Sequence, residues 1–132
     1  MRIVILGCGR VGAYLAKMLV AESHQVTVID RDIEAFRRLG SDFTGNLVVG
    51  TGIDEDVLRR AGIEQAEAFV AVTNGDNTNV MAAQVAKEIF GVPRVICRIY
   101  DPLREEIYRT LELETICPTI LGATNIKEGL DR

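Results

Sequence analysis

Short unbroken apolar runs alternate along this chain with longer stretches whose apolar positions recur every three to four residues. The runs predict strands at residues 2–6, 26–30, 47–50, 68–73, 94–99 and 114–117. Helical spacing and helix punctuation predict helices over residues 11–21, 33–39, 54–61, 76–90, 102–111 and 118–130. In the first helix Val11, Leu15, Met18 and Leu19 fall on one side, which is the expected core face. Gly40, Gly62 and Gly91 stand where helices should close, and Pro102 suits a first helical turn. Asp76 is placed to cap the fourth helix. The 54–61 segment opens on acids and ends on Arg59 and Arg60, as a helix dipole prefers. Such continuous apolar strands suit a parallel sheet covered on both faces. Strict alternation of strand and helix with short connections suits an open, doubly wound α/β sheet.

The sharpest local signal is Gly7-Cys8-Gly9-Arg10-Val11-Gly12, between the first strand and the first helix. The second strand then ends in Asp30, eighteen positions beyond Gly12. Together these meet the requirements of a dinucleotide-binding fingerprint. Gly7 permits the tight turn, Gly9 lets backbone approach a pyrophosphate, and Gly12 lets the helix pack on the sheet. Free amides at the helix start face the phosphates. Asp30 accepts both hydroxyls of an adenosine ribose and repels a 2′-phosphate, which disfavours NADP, while Arg31 beside it softens that repulsion. Arg10, inside the turn, offers a guanidinium to phosphate. The reading is a Rossmann-type doubly wound α/β domain, with a mainly parallel six-stranded sheet in the order 3-2-1-4-5-6.

Composition narrows the function. The chain has 132 residues, 48% hydrophobic and 26% charged, enough for one core and one domain. Its net charge of −4 offers no basic footprint for nucleic acid. No apolar run reaches the roughly 20 residues of a membrane span. A strand that starts at the second residue leaves no room for a signal peptide, so a cytoplasmic location is expected. Cys8, Cys97 and Cys117 form no CxxC pair and are expected to be free thiols in or near the core.

A second polar cluster, Thr73-Asn74-Gly75-Asp76-Asn77-Thr78-Asn79, follows the fourth strand, at the strand ends where such sheets bind ligands. The fifth strand leads into Arg98 and then Tyr100-Asp101-Pro102. With these motifs the sequence resembles the TrkA N-terminal or RCK (regulator of conductance of potassium) domain family. The resemblance rests on Gly7-x-Gly9-Arg10-x-Gly12, Val28-Ile29-Asp30, Thr73-x-x-Asp76-x-x-Asn79, Cys97-Arg98-Ile99-Tyr100-Asp101-Pro102 and Ile116-Cys117-Pro118. It implies NAD(H), ATP, ADP or AMP as ligand. By position it implies Asp30 on the ribose and Arg10 and Arg98 on phosphates. Thr73, Asn74, Asp76 and Asn79 would line the second half of the cleft. Family members often carry an acid after the third strand that helps read the adenine; this chain has Gly50-Thr51-Gly52 there, where Thr51 can still hydrogen-bond but the carboxylate is gone. The family's C-terminal ligand-binding subdomain has no counterpart in these residues.

The resemblance implies a cytoplasmic nucleotide-sensing regulatory subunit at the inner face of the membrane. Its partner would be a separate potassium transporter or channel subunit of Trk or Ktr type, met by a homodimer or larger ring. The last helix, about residues 119–130, carries Ile120, Leu121, Ile126 and Leu130, which need a sheet or a second copy to pack against. The alternative is a small NAD-dependent oxidoreductase or a fragment of one. It lacks an evident acid or base. His24, the only histidine, falls in the turn before the second strand and reads as solvent-exposed, and Tyr14 reads as packing. Tyr100 has no lysine partner at a catalytic spacing. Cys8, beside a helix N-terminus, would have its thiol pKa lowered and could sense redox state, although a small residue in a tight turn is the simpler account. No catalytic residue and no metal site is expected.

Overall fold

A computed structural model describes all 132 residues. Six strands form one sheet in the order β3-β2-β1-β4-β5-β6, and every neighbouring pair is parallel. The strands are β1 (Arg2–Leu6), β2 (Gln25–Asp30), β3 (Asn46–Val49), β4 (Ala68–Ala71), β5 (Arg94–Arg98) and β6 (Glu114–Ile116). The helices are α1 (Arg10–Ala21), α2 (Glu55–Arg60), α3 (Asp76–Gln84), α4 (Pro102–Arg109) and α5 (Pro118–Asp131). The chain winds outward from β1 to β3, crosses back through α2, and winds the other way from β4 to β6. That reversal sends the helices after β1 and β4 to opposite faces of the sheet and opens a crevice beyond the paired strand tips.

Both faces of the central strands are buried, in two separate clusters. One holds Leu6, Ile29, Leu58, Phe69 and Ile99 against α2 and α3. The other holds Ile5, Val28, Phe36 and Leu39 against α1 and the Ile33–Leu39 segment. The edge strands depart from the expectation of full cover, since Leu47, Val49 and Ile116 are exposed. An edge strand has a neighbour on one side only, and short strands give flanking helices little to cover.

Local structure corrects other expectations. The buried face of α1 is Gly12, Ala13 and Ala16, while Val11, Tyr14 and Met18 are exposed and Leu15 and Leu19 are half-buried. A Cβ on Gly12 would overlap the Gly7 carbonyl oxygen, so the helix lies too close to the sheet for large side chains on that face. Residues Ile33–Leu39 form a 3-10 helix, capped by Asp32, whose carboxylate accepts from the Glu34 amide at 3.0 Å. Asp76 does not cap α3. The cap position is Gly75, and the Asp76 carboxylate instead accepts from the Tyr100 and Asp101 amides at 2.9 and 3.2 Å. The predicted 76–90 helix is α3 followed by a π turn, Val85–Ile89, and Gly91 ends it at φ 62°. His24 is partly rather than fully exposed, and its Nδ1 lies 2.9 Å from the N-terminal amine. No helix is long and apolar enough to cross a membrane.

Candidate functional site

A cleft of about 530 Å³ opens at the strand tips. Its floor is the glycine turn. Gly7 has φ 108°, and a Cβ there would come within 2.9 Å of the Val72 and Thr73 backbone, so no other residue fits without strain. The Gly7 amide donates to the Ile29 carbonyl at 2.8 Å, which pins the turn to the end of β2. Gly9 is different: a Cβ on it would meet nothing within 4 Å, so its backbone faces open cleft. The helix that starts there has no side-chain cap, and its first-turn amides have no acceptor within the helix.

Asp30 stands at the tip of β2 and joins the floor to one wall. One carboxylate oxygen accepts from the Cys8 amide at 2.8 Å and the other from the Asp32 amide at 2.8 Å. The acid is thereby fixed at the mouth of the glycine turn, half-buried and lining the cleft. Arg31, Asp32, Ala35 and Arg38 continue this wall, and the Arg38 Nη1 reaches the Cys8 carbonyl at 3.4 Å. Thr51 and Gly52 lie opposite. A Cβ on Gly52 would overlap the Leu6 side chain, so any larger residue there requires Leu6 to shift.

The second half of the cleft is lined by Val72, Thr73, Asn74, Gly75 and Thr78. Behind it Asn79 is completely buried and fully engaged. Its side-chain oxygen accepts from the Thr73 amide and hydroxyl at 2.9 and 2.7 Å. Its amide nitrogen donates to the Thr73 and Arg98 carbonyls at 3.0 and 2.9 Å. Arg98, 7% exposed, donates to the Val72 and Thr73 carbonyls at 2.7 and 3.0 Å and stacks on Tyr100 at 4.5 Å. Its Nε has no partner, and burial lowers its pKa.

The sequence-derived residues thus separate. Gly7, Cys8, Gly9, Asp30, Arg31, Thr51, Gly52, Thr73 and Asn74 line the cleft. Gly12 packs beneath it, and Asp76, Asn79 and Arg98 brace its second wall without lining it. Arg10 and Val11 are exposed at the start of α1. Thr78 of the polar cluster also lines the cleft, and so do Asp32 and Arg38, which escaped the sequence reading. The signal for Arg38 was present: a 3-10 helix repeats every three residues, which aligns Asp32, Ala35 and Arg38.

The thiols are buried and free. Burial first, then the nearby Asp30 charge, pushes the Cys8 pKa up, despite the helix start beside it. Burial pushes Cys97 up to about 11. The redox reading of Cys8 therefore loses its physical basis, since the thiolate is the reactive form.

Sheet order, glycine turn and tip carboxylate define a Rossmann-type domain with its crevice at the topological switch point. The chain belongs to the TrkA-N domain family, whose sequence model matches residues 3–118. It is 58% identical over 116 residues to the Trk system potassium uptake protein TrkA of Streptomyces coelicolor, a match covering 88% of this chain and 52% of that protein. It thus spans about half the length of that relative. The TrkA-N domain of the inner membrane protein ybaL from Escherichia coli superposes with a TM-score of 0.87 at 18% identity, over 98% of this chain and 96% of that one. The Shewanella denitrificans Kef C-terminal domain in its AMP-bound form gives 0.83 at 19% identity, over 96% and 77%.

Proposed function

We propose that this chain is the nucleotide-sensing regulatory domain of a potassium uptake system, acting at the cytoplasmic face on a separate membrane transporter. The observation that carries the reading is Asp30, fixed by two backbone amides at the mouth of a glycine turn whose Gly9 faces open space. An adenine dinucleotide or nucleotide fits this cradle. The amides of the turn and the α1 start take the diphosphate, and Asp30 takes the ribose hydroxyls with its remaining lone pairs. Thr51 and Gly52 flank the adenosine end. Thr73, Asn74 and Thr78 offer neutral polar groups to the other end. Arg10, free on α1, reaches out to the phosphates of longer ligands. Asp76, Asn79 and Arg98 hold the second wall in place.

The second half of the cleft carries no cationic side chain among its lining residues. That favours NAD(H), whose far end is a nicotinamide nucleoside, over ATP, whose terminal phosphate needs a positive partner. The role is binding without chemistry, with the bound state passed to the transporter by a homodimer or larger assembly. A ligand does this only through different affinities for two shapes of the assembly. Calorimetric titration of the purified chain with NADH, NAD⁺, ATP, ADP and AMP tests the reading. Binding of at least one is expected, and no heat with any of them ends it. Turnover of NADH with a carbonyl substrate would replace it with the oxidoreductase alternative.

A further inference from the structure

Two guanidinium groups line the cleft, Arg31 and Arg38, and both stand at the β2 side with Asp30. None of the ion pairs in the molecule uses either of them. Arg37, next in sequence, is instead paired with Glu34 at 2.7 Å and does not line the cleft. The single hydrogen bond of Arg38 is long, 3.4 Å to a neutral carbonyl. The two carboxylates of this wall are already engaged. Asp30 holds the Cys8 and Asp32 amides, and Asp32 holds the Glu34 amide. Two cations without an ion-pair partner therefore share the cleft wall with two carboxylates already engaged by backbone amides.

From this arrangement we propose that Arg38, assisted by Arg31, is a subsite for a phosphate carried on the adenosine ribose, so that the cleft accepts NADPH as well as NADH. The inference rests on the reading above that the cleft holds an adenine dinucleotide. A lone acid at the tip of the second strand rejects a 2′-phosphate by charge, whereas a nearby arginine accommodates it. Here both are present, and the guanidinium pair balances the acids. A guanidinium also matches a phosphate with two parallel hydrogen bonds, which a carbonyl partner cannot do. The 3-10 geometry matters, because it turns Arg38 rather than Arg37 into the cleft.

Dissociation constants for NADH and NADPH, measured by nicotinamide fluorescence on the 132-residue chain and on Arg38→Ala and Arg37→Ala, decide the matter. Both residues are exposed, and melting curves verify that the variants fold. The parent should bind NADPH within about tenfold of NADH. Arg38→Ala should weaken NADPH by about tenfold or more, the size of one lost charge-assisted contact, and NADH by less than about threefold. Arg37→Ala should change neither ratio. NADPH binding more than about tenfold weaker than NADH in the parent overturns the subsite. So does an Arg38→Ala variant that loses both ligands equally, or neither. If the parent binds neither dinucleotide, the dinucleotide reading itself fails; if it binds NADH but not NADPH, the subsite alone does.

Discussion

Gly9 and Gly12 lie in the same turn yet face opposite surroundings, and this separates folding from binding. A methyl group on Gly12 would overlap the Gly7 carbonyl, whereas one on Gly9 would project into open cleft. Gly12→Ala should therefore lower the melting temperature by about 5 °C or more, since overpacking costs roughly 1–3 kcal/mol. Gly9→Ala should leave melting nearly unchanged and weaken nucleotide binding. If the two variants melt alike, the close approach of α1 to the turn is wrong. Asp30 serves both ends. Its loss frees two amides and leaves ribose hydroxyls unpaired, so Asp30→Ala should weaken an adenosine ligand by roughly 1–3 kcal/mol. An unchanged dissociation constant would remove Asp30 from the ribose. The thiols give a third check at this scale. With Cys97 raised to about 11 and Cys8 also raised, neither is a thiolate at pH 8. A disulfide reagent should leave both unmodified in the native protein and label them once denaturant is added. Rapid native labelling of Cys8 would restore a redox role.

At the scale of elements, the Glu105 contact ties α4 to β6. Glu105 is 5% exposed and accepts from Arg109 at 2.6 Å and from Thr115 of β6 at 2.8 Å. Those bonds lower its pKa below the ordinary carboxylate range. The folded state then binds fewer protons than the unfolded one, so the contact stabilises above the unfolded pKa of about 4.3. That stabilisation fades as pH falls through the lower, folded value. Glu105→Gln should melt below the parent at pH 7, and the gap should narrow steadily into the acid range. A gap that stays constant with pH would mean the carboxylate charge plays no part. Legibility in the sequence divided along the same elements. The strands and the glycine turn could be read because parallel buried strands are unbroken apolar runs and the turn needs glycine, and the strand order followed from the fold that the turn and Asp30 imply. The α1 face could not, because the helix is held on the sheet by Gly12, Ala13 and Ala16, and small residues give no amphipathic signal. Asp76 was expected to cap its own helix, and only the fold shows it holding the β5–α4 loop, 24 and 25 residues away in sequence. Arg38 was missed because residues 33–39 were assigned α-helical periodicity, which turns position 38 away from position 32.

At the scale of the whole molecule, α5 is the helix that the fold covers least. α5 has no buried residue along Pro118–Asp131, and Ile126 and Leu130 are 67% and 80% exposed. Ile120 and Leu121 on the same helix are exposed as well. Ile126 and Leu130 each forgo much of the about 1.5–3 kcal/mol that full burial supplies. A helix of this length is also marginal in water without tertiary packing. Its start is nevertheless held, because the Thr119 hydroxyl donates to the Tyr100 carbonyl at 2.8 Å. Tyr100 in turn is tied through its amide to Asp76, at the edge of the second cleft wall. A second copy of the chain is one cover that symmetry allows for the bare apolar side of this rooted helix. Sedimentation of the purified chain should therefore show a dimer whose population rises with concentration. Ile126→Glu with Leu130→Glu should shift it to monomer without changing the melting of the sheet core, since neither residue touches that core. If the parent remains monomeric up to roughly 100 µM, a second copy of the chain is not what covers α5.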